Sequence, residues 1–574
     1  MSRWKSSFLF VFYTLLSIAC QGGQISQEPT TEKVGSDATG TLDLVEAHST
    51  TEVDGGSEKD QVPEKDPEQQ PEQEAGESLH EQTPEKSIGS IKWNPCPIQT
   101  GQAQPKGAEC ATVQVPLNYD EAKGKKIQFF VKRIRAISQS RGQLWLLHGG
   151  LVGWGVDMEA FAKIVAKAHP DLDLYLPDHR GSGRSQRWSC PIQEEKNSEG
   201  GFYLVPSEVE ACEKHIQKTI GKDRVFYTTT AAARDLDFVI QRTRKPGEQL
   251  LMYGVSYGTF WLHRYIQIFP KEPTGTIFDS ICFHKTCQMD KYDQWVEDLG
   301  KKVLGECGKD PVCGKKLGTA PWKRVIDILD KYDKGACPAM HGYKITRSQL
   351  RSFAGAILKN WWLRLAVGPF FYRLERCSVQ DIQAISYFIN NVVNKKPSFP
   401  PPPSKKSAIL GLQIVRSELL SKPLPSAEEL KKKDKSYIIA DRVGLLSAEA
   451  IEHIKPVPPD TYVGKTAKTS IPMLMMNGSM DPQTPLEPAR AMEKAFTGPF
   501  QTFVAIPYAA HGVVAQSPLQ INTSQHCGMI VFNQFVKNPK QKLDTSCINK
   551  LLAPNYGGSA AIAKYMFNTA DFWD

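Results

Sequence analysis

The chain has 574 residues, 40% of them hydrophobic and 23% charged, with 13 cysteines and a formal net charge of +8. This length and apolar content exclude a disulfide-stapled miniprotein and a wholly disordered chain, and leave room for one large domain with an insertion or for two to three average ones. The only long apolar run lies at the extreme N-terminus, which excludes a membrane protein of several spans.

Arg3 and Lys5 precede the apolar stretch Phe8–Ile18, which ends at Ala19-Cys20. A basic segment followed by a short apolar one is the pattern of a secretory signal. The stretch is too short for a comfortable spanning helix. The small residue before Cys20 resembles a bacterial lipobox, with Ser17 where leucine is usual. Residues 1–20 are therefore expected to be a signal peptide. Cys20 would be the lipidation site that anchors an exported protein at the bacterial cell envelope; ordinary cleavage with an incidental Cys20 is the other reading. Residues 21–88 hold 17 Asp/Glu, four Lys/Arg and no Phe, Trp or Tyr, a net of −13. Such a segment buries too little apolar surface to offset chain entropy, so it is expected to be a disordered acidic tether. Residues 89–574 carry a net +19. That charge attracts anionic surfaces, but no nucleic-acid motif accompanies it and no specific nucleic-acid partner is expected.

In chain order, Leu144–Leu147, Leu172–Leu176, Leu250–Tyr253, Thr276–Phe278, Met473–Met476 and Thr502–Ile506 read as buried parallel strands, apolar on both faces. Ala231–Arg244, Phe260–Phe269 and Glu487–Phe496 carry helical patterns between them. The alternation predicts an α/β fold with a mostly parallel central sheet. It breaks over residues 281–469, where helix-like segments such as Leu350–Leu365 predominate and Pro400–Pro403 punctuates the chain. This stretch is expected to be an inserted, mainly helical cap domain. The sheet-bearing core would then be split into 89–280 and 470–574.

Without Cys20, 12 cysteines remain, an even number that suits an oxidising compartment. Close spacing suggests the pairs Cys96–Cys110, Cys190–Cys212, Cys307–Cys313 and Cys527–Cys547, and leaves Cys282, Cys287, Cys337 and Cys377 unassigned. Cys282, His284 and Cys287 offer three zinc ligands, but a tetrahedral site needs a fourth and usually a reducing compartment. Neither a metal nor an organic cofactor is expected.

Gly254-Val255-Ser256-Tyr257-Gly258 follows one predicted strand and opens a predicted helix, the setting of a nucleophile elbow. A serine hydroxyl attacks only when a base takes its proton, and the base is usually a histidine held by a carboxylate. Asp481 follows the strand ending near Asn477, and His511 follows Thr502–Ile506. The order Ser256, Asp481, His511 is that of an α/β-hydrolase. An oxyanion hole needs backbone donors. Tyr257 N–H is one; the other would come from Gly150 or Leu151, in the loop His148-Gly149-Gly150-Leu151 after Leu147. His148 reads as a loop brace rather than a base.

These residues, with Pro177-Asp178-His179-Arg180-Gly181-Ser182-Gly183, Asp481-Pro482-Gln483-Thr484-Pro485 and the endings around Cys527 and Cys547, resemble the prolyl and tripeptidyl aminopeptidase branch of the α/β-hydrolases. The resemblance spans about 93–548 apart from the cap. It implies an α/β-hydrolase fold and a serine peptidase that releases one or a few residues from free peptide N-termini. Ser256 would be its nucleophile, Asp481 its orienting acid and His511 its base. Asp178 and Arg180 would be scaffold. The first oxyanion loop departs from the family's His-Gly-Gly-Pro-Gly, since Leu151-Val152 follow Gly150. The family binds the substrate amine with acidic residues; Glu297, Asp298 and Glu375 are available here, and the sequence singles out none. A carboxylesterase or lactone hydrolase on the same triad, and a non-catalytic surface binding protein, are the alternatives. The oligomeric state stays open.

Overall fold

Alternate residues of the central strands face opposite layers, and both sets are apolar. Leu144, Leu146, Leu251, Tyr253, Leu474 and Met476 point into one core. Trp145, Leu147, Leu250, Met252, Met473 and Met475 point into the other. A sheet built this way must be covered by helices on both faces. The computed structural model describes residues 90–98, 108–195, 197–201, 204–395 and 406–574. The expected signal peptide, the expected lipidation site Cys20 and the expected acidic tether lie outside these residues.

Nine strands form one sheet: β1 (Asn94–Pro95), β2 (Ala108–Pro116), β3 (Lys126–Ile134), β4 (Gly142–Leu147), β5 (Leu172–Pro177), β6 (Gln249–Ser256), β7 (Gly275–Ile281), β8 (Met473–Gly478) and β9 (Gln501–Ile506). Their order is β1-β2-β3-β5-β4-β6-β7-β8-β9. The first four in that order pair antiparallel, and β5 through β9 pair parallel. Helices Glu159–Ala168 and Cys527–Lys537 cover one face. Helices Thr229–Thr243 and Tyr257–Ile268 cover the other. The hairpin β2–β3 is absent from the sequence reading because its alternation is broken by Lys132 and Arg133. Both are buried: Lys132 pairs with Glu159, and Arg133 with Glu109.

Between β7 and β8 the described residues form helices and no strand. Helices from Tyr292 to Tyr387 share a core of Val296, Leu329, Phe353, Phe370, Phe371 and neighbours. The helix expected over Leu350–Leu365 ends at Leu358. Asn360 Oδ1 takes the N–H groups of Trp362 (2.8 Å) and Leu363 (3.1 Å), and this turn stops the helix before the tryptophan pair.

Packing crosses the expected boundaries 281–469 and 470–574 in two places. Helix Ala408–Glu418 lies within the inserted stretch, yet Ile409, Leu410 and Ile414 pack in the core on the sheet. The residues from Tyr556 onward follow the last sheet strand, yet Met566, Phe567, Phe572 and Trp573 pack in the core of the insertion. An aromatic-rich terminal helix finds its apolar partners there, and the sheet faces are already covered. Four disulfides join the pairs expected from spacing, and the other two are Cys282–Cys287 and Cys337–Cys377. The sulfurs considered for zinc are thus bonded to each other.

Trp573 is fully buried and its indole N–H donates to the Tyr556 carbonyl at 3.2 Å. Trp573→Ala is expected to destabilise the insertion by about 3–5 kcal/mol. Denaturant unfolding with the disulfides intact measures this; a change below about 1 kcal/mol would refute the packing role.

Candidate active site

Strand β6 ends at Ser256, and helix Tyr257–Ile268 starts at the next residue. Such an abrupt junction puts Ser256 at φ 58°, ψ −128°, a conformation most side chains avoid. Glycines on both sides make it feasible. A Cβ on Gly254 would lie 2.4 Å from the Gly258 carbonyl oxygen, and one on Gly258 would lie 2.2 Å from that of Leu147. Thr259 Oγ1 donates to the Ser256 carbonyl at 2.6 Å and accepts the Cys282 N–H at 2.8 Å, which ties the turn to the end of β7.

The loop after β4 lies against this serine. A Cβ on Gly149 would be 2.5 Å from Ser256 Cβ and 3.1 Å from its Oγ. Gly150, Leu151 and Val152 follow at φ 60°, 33° and 59°. A left-handed conformation is costly for leucine and more so for valine. The loop is held from outside: Ser182 Oγ donates to the Val152 carbonyl at 2.6 Å, and Leu151 abuts Gly411 of helix Ala408–Glu418. His148 is buried, with Nε2 3.7 Å from Asp157 Oδ2, and Asp157 in turn pairs with Lys406 at 2.7 Å. Tyr257, the first helical residue, is fixed by its hydroxyl, 3.1 Å from Thr229 Oγ1 and 3.2 Å from His179 Nε2. Asp178 takes the N–H groups of Gly155 (2.6 Å) and Arg184 (2.8 Å). Arg180 grips Asp235 through two nitrogens and three backbone carbonyls besides. Both brace the turn behind the loop that follows β4.

Asp481 follows β8 and His511 follows β9, and the two meet. His511 Nδ1 is 2.8 Å from Asp481 Oδ2 and 3.0 Å from Oδ1. A carboxylate facing Nδ1 keeps the proton there and leaves Nε2 as the basic nitrogen. Burial alone would raise the Asp481 carboxyl. The His511 charge, the bond from His511 and the N–H groups of Thr484 and Gln483 outweigh burial and hold it below the ordinary range. Thr484, which the sequence reading passed over, donates Oγ1 to Asp481 Oδ2 at 2.9 Å and lies 3.2 Å from His511 Nδ1. Its signal was present: a threonine three residues after the acid can close an Asx-type turn on it.

The helical insertion touches both loops. Tyr292 hydroxyl donates to Gln483 Oε1 at 2.8 Å, and Lys302 Nζ to the Ser479 carbonyl at 3.1 Å. Trp361 N–H donates to Gln516 Oε1 at 3.1 Å. The carboxylates considered for the substrate amine have protein partners. Glu297 takes the N–H groups of Ile438 and Ile439, both at 2.9 Å, Asp298 takes Gln294 at 2.8 Å, and Glu375 pairs with Arg324 and Lys331.

A family model described as alpha/beta hydrolase fold matches residues 144–313, and one described as TAP-like protein matches residues 450–547. The chain has the α/β-hydrolase fold and is similar to the TAP-like proteins. Serine protease Hip1 of Mycobacterium tuberculosis is 24% identical over 254 residues, 41% of this chain and 48% of that protein. Tripeptidyl aminopeptidase of Streptomyces lividans is 28% identical over 211 residues, 33% of this chain and 38% of that protein. The chain thus matches about half the length, or less, of these relatives. A thermophilic esterase from Thermogutta terrifontis aligns with a TM-score of 0.28 and 13% identity, over 71% of this chain and 93% of that one. Among the described residues no helix is long and apolar enough to cross a membrane.

Burial pushes His148 down to about 4, His179 to about 3 and His526 to about 4. An unfolded histidine titrates near 6.5, so below that pH the unfolded state takes up the protons first. The contribution of these rings to stability is complete above about pH 6.5 and is lost as pH falls toward 4. Urea unfolding is expected to show lower stability at about pH 5 than at about pH 7.5, by on the order of 2 kcal/mol per ring. His526→Gln should flatten that slope by about one proton; an unchanged slope would refute the assignment.

Proposed function

We propose that the protein is an exported serine aminopeptidase that releases one or a few residues from free peptide N-termini. In this reading Ser256 Oγ attacks the peptide carbonyl and His511 Nε2 takes its proton. Asp481 fixes the imidazole and stabilises its charged form. The N–H of Tyr257 and one from Gly150 or Leu151 receive the oxyanion. His511 then passes its proton to the leaving amine, and water releases the acyl-enzyme. The observation that carries the reading is the Asp481–His511 contact of 2.8 Å, taken together with a serine at the strained end of β6. The Hip1 and tripeptidyl aminopeptidase relatives support a peptide substrate. The helical stretch between β7 and β8 serves as the cap over the site. Six disulfides suit an oxidising compartment, and Cys20 is read as the lipid anchor to the cell envelope.

One observation favours a second reading, an esterase or lactone hydrolase on the same residues. Glu297 and Glu375 are each engaged by two protein donors and Asp298 accepts the Gln294 amide, so an amine at any of them would compete with a contact already made.

Matched chromogenic peptide amides, one with a free N-terminus and one acetylated, separate the two. Cleavage of the free form alone is expected, with Ser256→Ala and His511→Ala each reducing kcat by about 10⁴-fold or more and Asp481→Asn by about 10⁴-fold. Cleavage of a simple ester with neither amide cut would favour the esterase. Full turnover by Ser256→Ala would refute both.

A further inference from the structure

We propose that Asp279, together with Ser280, is a positioning residue that sets where the His511 loop stands relative to Ser256. This rests on the reading of His511 as the base. Asp279 lies near the end of β7 and is fully buried. Its Oδ1 accepts the Val513 N–H at 2.7 Å and the Ser280 hydroxyl at 3.1 Å. Its Oδ2 accepts the Tyr253 hydroxyl at 2.8 Å and the Val514 N–H at 3.2 Å. Ser280 Oγ accepts the Gly512 N–H at 2.7 Å. The three consecutive N–H groups after His511 therefore all end on two adjacent residues of β7.

The placement links the proposed base to the proposed nucleophile without passing through Asp481. In the β6–β7 register Asp279 is the partner of Val255, the residue before Ser256, and the ladder shifts at that point. Tyr253, also on β6, donates to the same carboxylate. One chain of contacts thus runs from β6 through Asp279 to the backbone of 512–514. Asp481 and Thr484 orient the ring; the clamp fixes the height of the loop that carries it. A buried carboxylate with only neutral donors around it is a costly way to fasten a loop, and burial raises the Asp279 carboxyl. Its four donors, two N–H and two O–H, match the acceptor-only ionised form. Ser280 stands at φ 56°, a strained conformation that brings its hydroxyl to the Gly512 N–H.

Two variants of the full chain test this. Asp279→Asn keeps the volume but replaces an acceptor oxygen with a donor that meets other donors. Ser280→Gly suits the positive φ while deleting the hydroxyl, so stability is kept as the clamp is weakened. Asp279→Asn is expected to lower kcat and the rate of fluorophosphonate labelling of Ser256 by about 10- to 100-fold, and Ser280→Gly by about tenfold, with KM changed less than about twofold. Trp573→Ala, far along the chain and buried in the insertion, serves as the destabilised control and is assayed at a temperature where it is folded. The proposal is overturned if Ser280→Gly turns over like the unaltered protein, or if Asp279→Asn loses no more kcat than Trp573→Ala. If Ser256→Ala keeps turnover, the underlying reading fails and takes the clamp with it. If Ser256→Ala is inactive and both clamp variants match the unaltered protein, the clamp alone is wrong.

Discussion

The site depends on one backbone constraint: a serine held at φ 58° where a buried parallel strand turns directly into a helix. Everything near it follows from the room that turn requires. Gly254 and Gly258 must lack side chains because carbonyl oxygens occupy those positions, and Gly149 must lack one because Ser256 does. The sheet fixes where the turn occurs. β4 lies beside β6 with Leu147 opposite Gly254, so the loop after β4 arrives at the serine without further adjustment. The strain of a left-handed serine persists because strands on both sides over-determine it.

The insertion is part of the same mechanical unit. Its contacts through Tyr292, Lys302 and Trp361 fall on the loops that carry Asp481 and His511, and helix Ala408–Glu418 leans on Leu151. Met480, adjacent to Asp481, is itself buried in the core of the insertion. A shift of the helical layer would therefore move the acid loop directly.

The central strands were legible because a sheet covered on both faces writes apolar residues at every position, as in Leu144–Leu147 and Met473–Met476. That Ser256, Asp481 and His511 stand at or just after strand ends was legible because the strands themselves were. Asp279 was not, since one carboxylate inside an apolar strand gives no hint of its backbone partners 234 and 235 residues later in the chain, although its cost in burial was a signal. The early end of the helix at Leu358 was hidden because it depends on a side-chain bond from Asn360 and on Gln516, which is remote in sequence. The path of the C-terminal residues was hidden for a similar reason: their aromatic face suits any helical layer, and only the occupied sheet faces decide which.

The buried charges around His511 give the arrangement an electrostatic direction. Asp481 and Asp279 both interact with the ring. Arg364, fully buried and pushed down to about 10 by that burial, offsets part of the negative charge through its interaction with Asp481. Its side chain is held by the Asn360 carbonyl at 3.2 Å and reaches toward that of Tyr508 at 3.5 Å. In the proposed mechanism, two ionised carboxylates and one guanidinium around a neutral imidazole would leave this group at a net −1. Proton transfer from a serine hydroxyl to the ring would bring it to zero while an oxyanion forms on the other side of the proton. In a water-poor interior, the neutral cluster is the better one to hold. The Arg364 guanidinium, through its interaction with Asp481, offsets negative charge that burial would otherwise leave uncompensated.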